Sequence, residues 1–86
     1  MHLSYTLKID DKVFKDLKKI DRTWQKRILA KMKTTLIDDP YSGKKLIGNL
    51  SPFWRLRVGD YRVIYVIEEE IVTVEVVKVR HRKEVY

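Results

Sequence analysis

The chain closes with Arg80-His81-Arg82-Lys83-Glu84-Val85-Tyr86, directly after a strand-like hydrophobic run. These residue types supply fixed cations for phosphate, an imidazole that titrates near neutrality, and a phenol whose ring can stack on a base. They are suited to chemistry at a phosphodiester, in RNA above all, where a 2′-hydroxyl stands beside the phosphate. A second basic set lies upstream at Arg55, Arg57 and Arg62. Lys44, Lys45, Lys78 and Arg82 are further candidates for holding an anionic substrate.

Hydrophobic alternation predicts how these residues are brought together. Trp54, Leu56 and Val58 alternate with Arg55 and Arg57, and Val63, Tyr65 and Ile67 alternate with Arg62 and Ile64. Between them Gly59-Asp60 reads as a two-residue hairpin turn with glycine first, as a type II′ turn prefers. Val58 then faces Tyr61, and Arg57 faces Arg62. Facing like charges destabilise a sheet by a few tenths to about 1 kcal/mol. A phosphate between the guanidinium forks removes that repulsion. The alternative is a solvated basic face with Asp60 and Glu75 as counter-ions. If Glu68-Glu69-Glu70 is a three-residue turn, Val76, Lys78 and Arg80 share the arginine face; a slip of one residue would turn Arg80 away. The same pattern places Ile64, Val66, Val72, Val74 and Val76 there, as a partner site or as inner core.

The elements upstream form a frame. Tyr5, Leu7 and Ile9 alternate with polar residues as a half-buried strand. Asp10 and Asp11 suit the start of a helix whose apolar stripe is Val13, Phe14, Leu17 and Ile20. Asp21 begins a second helix to about Ile37, with Trp24, Ile28, Met32 and Leu36 recurring every fourth residue. Lysines and arginines cover the other faces of both helices, as a solubilising surface. Asp38-Asp39-Pro40 ends the pair. Leu46, Ile47 and Leu50 are expected to anchor the next loop to the core. The order β-α-α-β-β-β predicts an α+β fold: an antiparallel sheet with a two-helix hairpin on one face.

The 86 residues are expected to form a single domain, 1–86. So small a domain buries a modest share of its surface, which favours a shallow site and a stabilising partner. The net charge of +7 points to a polyanionic or acidic partner. That excess lies upstream: residues 1–51 hold 12 Lys and Arg against 6 Asp and Glu, residues 52–86 hold 7 against 6. An anion site near the C-terminus therefore has to come from local arrangement. There is no cysteine, so disulfides and thiolate chemistry are excluded. The histidines, His2 and His81, are far apart in sequence, no cluster has metal-ligand spacing, and no glycine-rich phosphate loop is present. No cofactor is expected. Without a signal peptide or a membrane-spanning apolar run, the chain reads as soluble and cytoplasmic.

Together, the strand-helix-helix-three-strand order, Trp54-Arg55-Leu56-Arg57, Tyr61-Arg62-Val63-Ile64-Tyr65 and the Arg80-to-Tyr86 ending resemble the RelE family of toxin–antitoxin ribonucleases, within the RelE/ParE superfamily. The resemblance covers nearly the whole chain. It implies a toxin that enters the ribosomal A site and cleaves mRNA there without a metal, inhibiting translation, and that is neutralised by an acidic, RelB-like antitoxin. By motif, the catalytic roles fall on Arg57, Arg62, Arg80, His81 and Tyr86, with Arg55 as a phosphate or backbone contact. Either His81 or Tyr86 would be the base. Two other outcomes stay open: a ParE-like toxin that binds DNA gyrase without cutting RNA, and a non-catalytic module that binds nucleic acid or antitoxin.

Overall fold

The computed structural model describes residues 4–48 and 52–84. It has the α+β architecture expected from the sequence. Strand β1 (Thr6–Ile9) leads into helix α1 (Asp11–Lys18) and helix α2 (Arg22–Lys31). A two-residue strand β2 (Lys44–Lys45) precedes β3 (Trp54–Val58), β4 (Tyr61–Glu68) and β5 (Thr73–His81). The sheet order is β1-β5-β4-β3-β2. The pairs from β2 to β5 are antiparallel, whereas β1 joins β5 in parallel. The helix pair carries the chain from β1 at one edge of the sheet to β2 at the other.

Both helices begin where an aspartate can accept an orphan backbone N–H. Asp10 accepts from Lys12, and Asp21 accepts from Thr23. Val13 and Leu17 carry the buried stripe of α1, while Phe14 stays 46% exposed, against expectation. Ile28, Met32 and Leu36 are all fully buried. A four-residue repeat drifts around an α-helix of roughly 3.6 residues per turn. Here α2 continues as a π-helical turn, Met32–Leu36, whose wider winding takes back that drift and keeps Leu36 on the core side.

One face of the sheet receives these residues. Leu56, Val58, Val63, Tyr65, Val74, Val76 and Val79 pack with them in one cluster, and Leu7, Ile9, Trp24, Trp54 and Ile67 pack around it. Two glycines are fixed by close approach. Gly59 has φ +58°, and a Cβ there would lie 2.3 Å from the Trp24 ring. A Cβ on Gly43 would lie 2.1 Å from the Tyr65 hydroxyl.

Two features depart from the expected register. The connection between β4 and β5 is a short 3₁₀ turn, Glu69–Ile71, closed by Val72 in the left-handed region at φ +48°. Glu68 then pairs with Thr73, and Tyr65 with Val76. Val74 and Val76 therefore belong to the buried core and not to the arginine face, and Val72 lies in the turn. The second feature is a bulge: Ile64 pairs with Lys78 although Tyr65 pairs with Val76, which leaves Val77 as an extra residue on β5. Ile47 also departs from expectation. It is 85% exposed and anchors nothing, and Leu50 falls outside the described residues.

Candidate functional site

The hairpin delivers the predicted juxtaposition. Asp60 does not share the positive φ of Gly59, which fits the type II′ turn. Arg57 faces Arg62, as the alternation requires. The bulge at Val77 restores the phase of β5, so that Arg80 faces Arg62 from the other side. Arg57, Arg62 and Arg80 thus form one row across three strands. Two residues along each strand lies a second row: Lys44 on β2 faces Arg55, Arg55 faces Ile64, and Ile64 faces Lys78. Six cationic residues surround Ile64 on the face opposite the helices. Farther along, that face changes sign, with Glu75 beside Val66 and Lys8.

The individual side chains are held differently. Arg57 is exposed, and its Nε donates to the Gly59 carbonyl at 3.3 Å. Arg80 lies in the row by register, but its guanidinium is drawn to two carboxylates, Asp16 Oδ1 at 3.7 Å and Glu84 Oε2 at 3.6 Å. Arg82 leaves the row. Its backbone N–H donates to the Asp60 carbonyl at 2.7 Å, and its Nε lies 3.4 Å from Asp60 Oδ1. Asp60 is therefore a counter-ion to Arg82. Lys45 faces Trp54 and so points to the helix side, opposite to Lys44.

His81 also lies on the helix side, one residue beyond Arg80. Its ring meets Tyr61 edge-on with centroids 5.3 Å apart, and its Nδ1 accepts the Lys83 N–H at 3.2 Å. With Nδ1 accepting, Nε2 is the nitrogen that carries the proton in the neutral ring. Tyr86, the expected aromatic partner, lies outside the described residues. Among the described residues no three His, Asp or Glu side chains converge as a metal site, and no helix is long and apolar enough to cross a membrane.

A tyrosine cluster at the far end of the sheet was not evident in the sequence. Tyr5 donates to Glu69 Oε1 at 2.6 Å, and Tyr41 donates to the same oxygen. These bonds, Tyr41 first, hold the Glu69 carboxyl below its usual range. The bond to Glu69 pushes the Tyr41 phenol up to about 12. Tyr65 donates to the Pro40 carbonyl at 2.6 Å, and burial pushes its phenol up to about 12 as well. The cluster ties the segment after α2 to the β4–β5 turn. No local periodicity links residues 64 positions apart, so only the fold reveals it.

A family model for the ParE toxin of type II toxin–antitoxin systems matches residues 7–86. The chain belongs to this toxin family. The toxin is similar in structure to the RelBE2 toxin–antitoxin complex of Mycobacterium tuberculosis, at 28% identity and a TM-score of 0.87, covering 95% of each chain. It is also similar to the archaeal RelE–RelB complex of Pyrococcus horikoshii, at 26% identity and a TM-score of 0.77, covering 96% of this chain and 100% of that one. Isolated RelE of E. coli shares the fold, with a TM-score of 0.75 at 22% identity over 95% of this chain and 88% of that one. Curated protein sequences give no match. The toxin is thus a member of the RelE/ParE superfamily, as the sequence motifs implied.

Proposed function

We propose that this toxin is a metal-independent endoribonuclease that cleaves mRNA in the ribosomal A site and so stops translation. The observation that carries this reading is the row Arg57–Arg62–Arg80, facing away from the helices and flanked by Lys44, Arg55 and Lys78. Such a row is costly to a fold and useful to a phosphodiester whose charge grows during attack. The 2′-hydroxyl of one nucleotide attacks the adjacent phosphorus, giving a 2′,3′-cyclic phosphate and a free 5′-hydroxyl. Arg57 and Arg62 stabilise the developing charge, with Arg80 as the third cation and Arg55, Lys44 and Lys78 guiding the backbone. Arginine stays protonated, so these residues cannot shuttle protons. Proton transfer and base stacking fall to Tyr86, with His81 as the other titratable candidate. An open sheet face holds RNA loosely, and the ribosome supplies the in-line positioning that the face lacks.

An acidic, RelB-like antitoxin fits the basic surface. Assembly with RelB in the M. tuberculosis and P. horikoshii structures supports such a partner here. A second reading, a toxin directed at DNA gyrase, has the ParE family model in its favour. Primer extension on an mRNA in a purified translation system separates the two. Codon-phased cuts that require ribosomes are expected, together with loss of both cutting and growth arrest in Arg62→Ala. Growth arrest without cuts, and with inhibited supercoiling, would overturn the ribonuclease reading.

A further inference from the structure

Arg80 occupies two places at once: its backbone lies in the cationic row, and its guanidinium is turned out of it. The cause is the end of β1. Past Ile9 the chain rises into α1, leaving the outer edge of β5 uncovered beyond Val76. Asp16 of α1 fills that gap. Its Oδ2 accepts the Val79 N–H at 3.2 Å, which would otherwise have no strand partner, and its Oδ1 lies 3.7 Å from Arg80 Nη1. Glu84, in the turn after β5, reaches the same nitrogen at 3.6 Å. Asp16, Arg80 and Glu84 line one cleft of about 270 Å³ together with Tyr61 and His81.

Arg80 thus has two alternatives of opposite sign. In the row it faces Arg62, itself a cation. In the cleft it meets two carboxylates. The carboxylates win in the free toxin. A phosphate seated on the row reverses the balance, because its oxygens offer the guanidinium a bidentate partner that neither carboxylate provides at 3.6–3.7 Å.

We propose that Asp16 and Glu84 are positioning residues that hold Arg80 in reserve, and that an RNA phosphate draws it into the row. This deepens the ribonuclease reading and rests on it. Asp16 is the stronger holder, because its carboxylate is 17% exposed and fixed by Val79, whereas Glu84 is 55% exposed and screened by water. The held orientation lowers the fraction of toxin ready to bind, so releasing Arg80 raises activity.

The test is Asp16→Asn, which keeps an oxygen for the Val79 N–H and removes the charge. Ribosome-dependent cleavage should rise about three- to fivefold in kcat/KM, and about twofold in Glu84→Gln. Both gains should vanish when the changes are made in an Arg80→Ala background. Binding of a 2′-O-methyl hexanucleotide, followed by the Arg80 Nε resonance, gives a readout independent of cutting. The same oligonucleotide should bind more tightly to Asp16→Asn. Unchanged or reduced cleavage and binding in Asp16→Asn, at an unchanged melting temperature, would overturn the proposal. So would a gain that persists without Arg80. Tighter binding in Asp16→Asn with no cutting by the parent toxin would sustain the Arg80 hold and sink the ribonuclease reading alone.

Discussion

Replacing Arg57 by glutamine should stabilise the toxin while disabling it. Arg57 and Arg62 are direct ladder partners beside a two-residue turn. The pair flanking such a turn, Val58 and Tyr61, exchanges the hydrogen bonds, so Arg57–Arg62 is the non-hydrogen-bonded kind, in which side chains lie closer. Two unit charges about 6 Å apart in water repel by about 0.7 kcal/mol, within the range measured for facing like charges in sheets. Loss of the long, exposed bond from Arg57 Nε to the Gly59 carbonyl takes back a few tenths of a kcal/mol. For a domain of this size the remainder raises the melting temperature by about 2–4 °C. Melting followed by circular dichroism in about 0.02 M salt should show that gain. In about 1 M salt, where the screening length falls to about 3 Å, the gain should nearly disappear. Lys8→Gln is the control of opposite sign. Lys8 faces Glu75, so its neutralisation should lower the melting temperature slightly at low salt. Cleavage of translated mRNA by Arg57→Gln should fall by about 100-fold or more. A lowered melting temperature for Arg57→Gln at low salt, or a gain that salt leaves intact, would refute the view that this pair is strained by charge.

Other perturbations probe the frame. Gly59→Ala forces a Cβ into a left-handed turn and against Trp24; denaturant unfolding should show a loss of about 2–4 kcal/mol. Ile28→Ala empties a fully buried position under the sheet and should cost about 2–5 kcal/mol in the same assay. Stability should also fall in strong alkali. Tyr41 and Tyr65 both have folded-state values of about 12 against an ordinary 10, so their contribution is whole below pH 10 and is lost as pH rises towards 12. Thermal melts over that interval should decline less steeply in Tyr65→Phe. Glu69 acts at the other limb: its carboxyl is held below the ordinary 4.5, so its contribution is present above that pH and is lost as acid protonates it in the folded state. Glu69→Gln should flatten the acid limb of the same melts.

The register of β5 shows how local and global information divide. Sequence alternation placed Arg80 on the arginine face by assuming a three-residue turn after Ile67. The connection is longer, and that alone turns Val74 and Val76 into the core. The extra residue at Val77 then shifts the strand again and returns Lys78 and Arg80 to the face assigned to them. Two displacements of one residue cancel for Arg80 and not for the valines. Neither the turn nor the bulge has a strong sequence signal, because Val, Ile and Glu fit strand, turn and bulge alike in this segment. Strand β2 was equally hidden, since two lysines carry no alternation.

By itself the sequence determined what local periodicity and turn chemistry can determine. Asp10 and Asp21 start the helices, Gly59-Asp60 closes the hairpin, and that turn puts Arg57 opposite Arg62. The motifs around those residues and at the C-terminus also carried the superfamily. Tertiary structure decided the rest. It set β1 parallel to β5, sent His81 to the helix side, joined Tyr5 and Tyr41 on Glu69, and brought Asp16 across 63 positions to Val79 and thus to Arg80. A turn fixes its own neighbours through the geometry of a few bonds. Contacts between distant segments depend instead on how helices and strands share one core, and that is settled only when the chain packs as a whole.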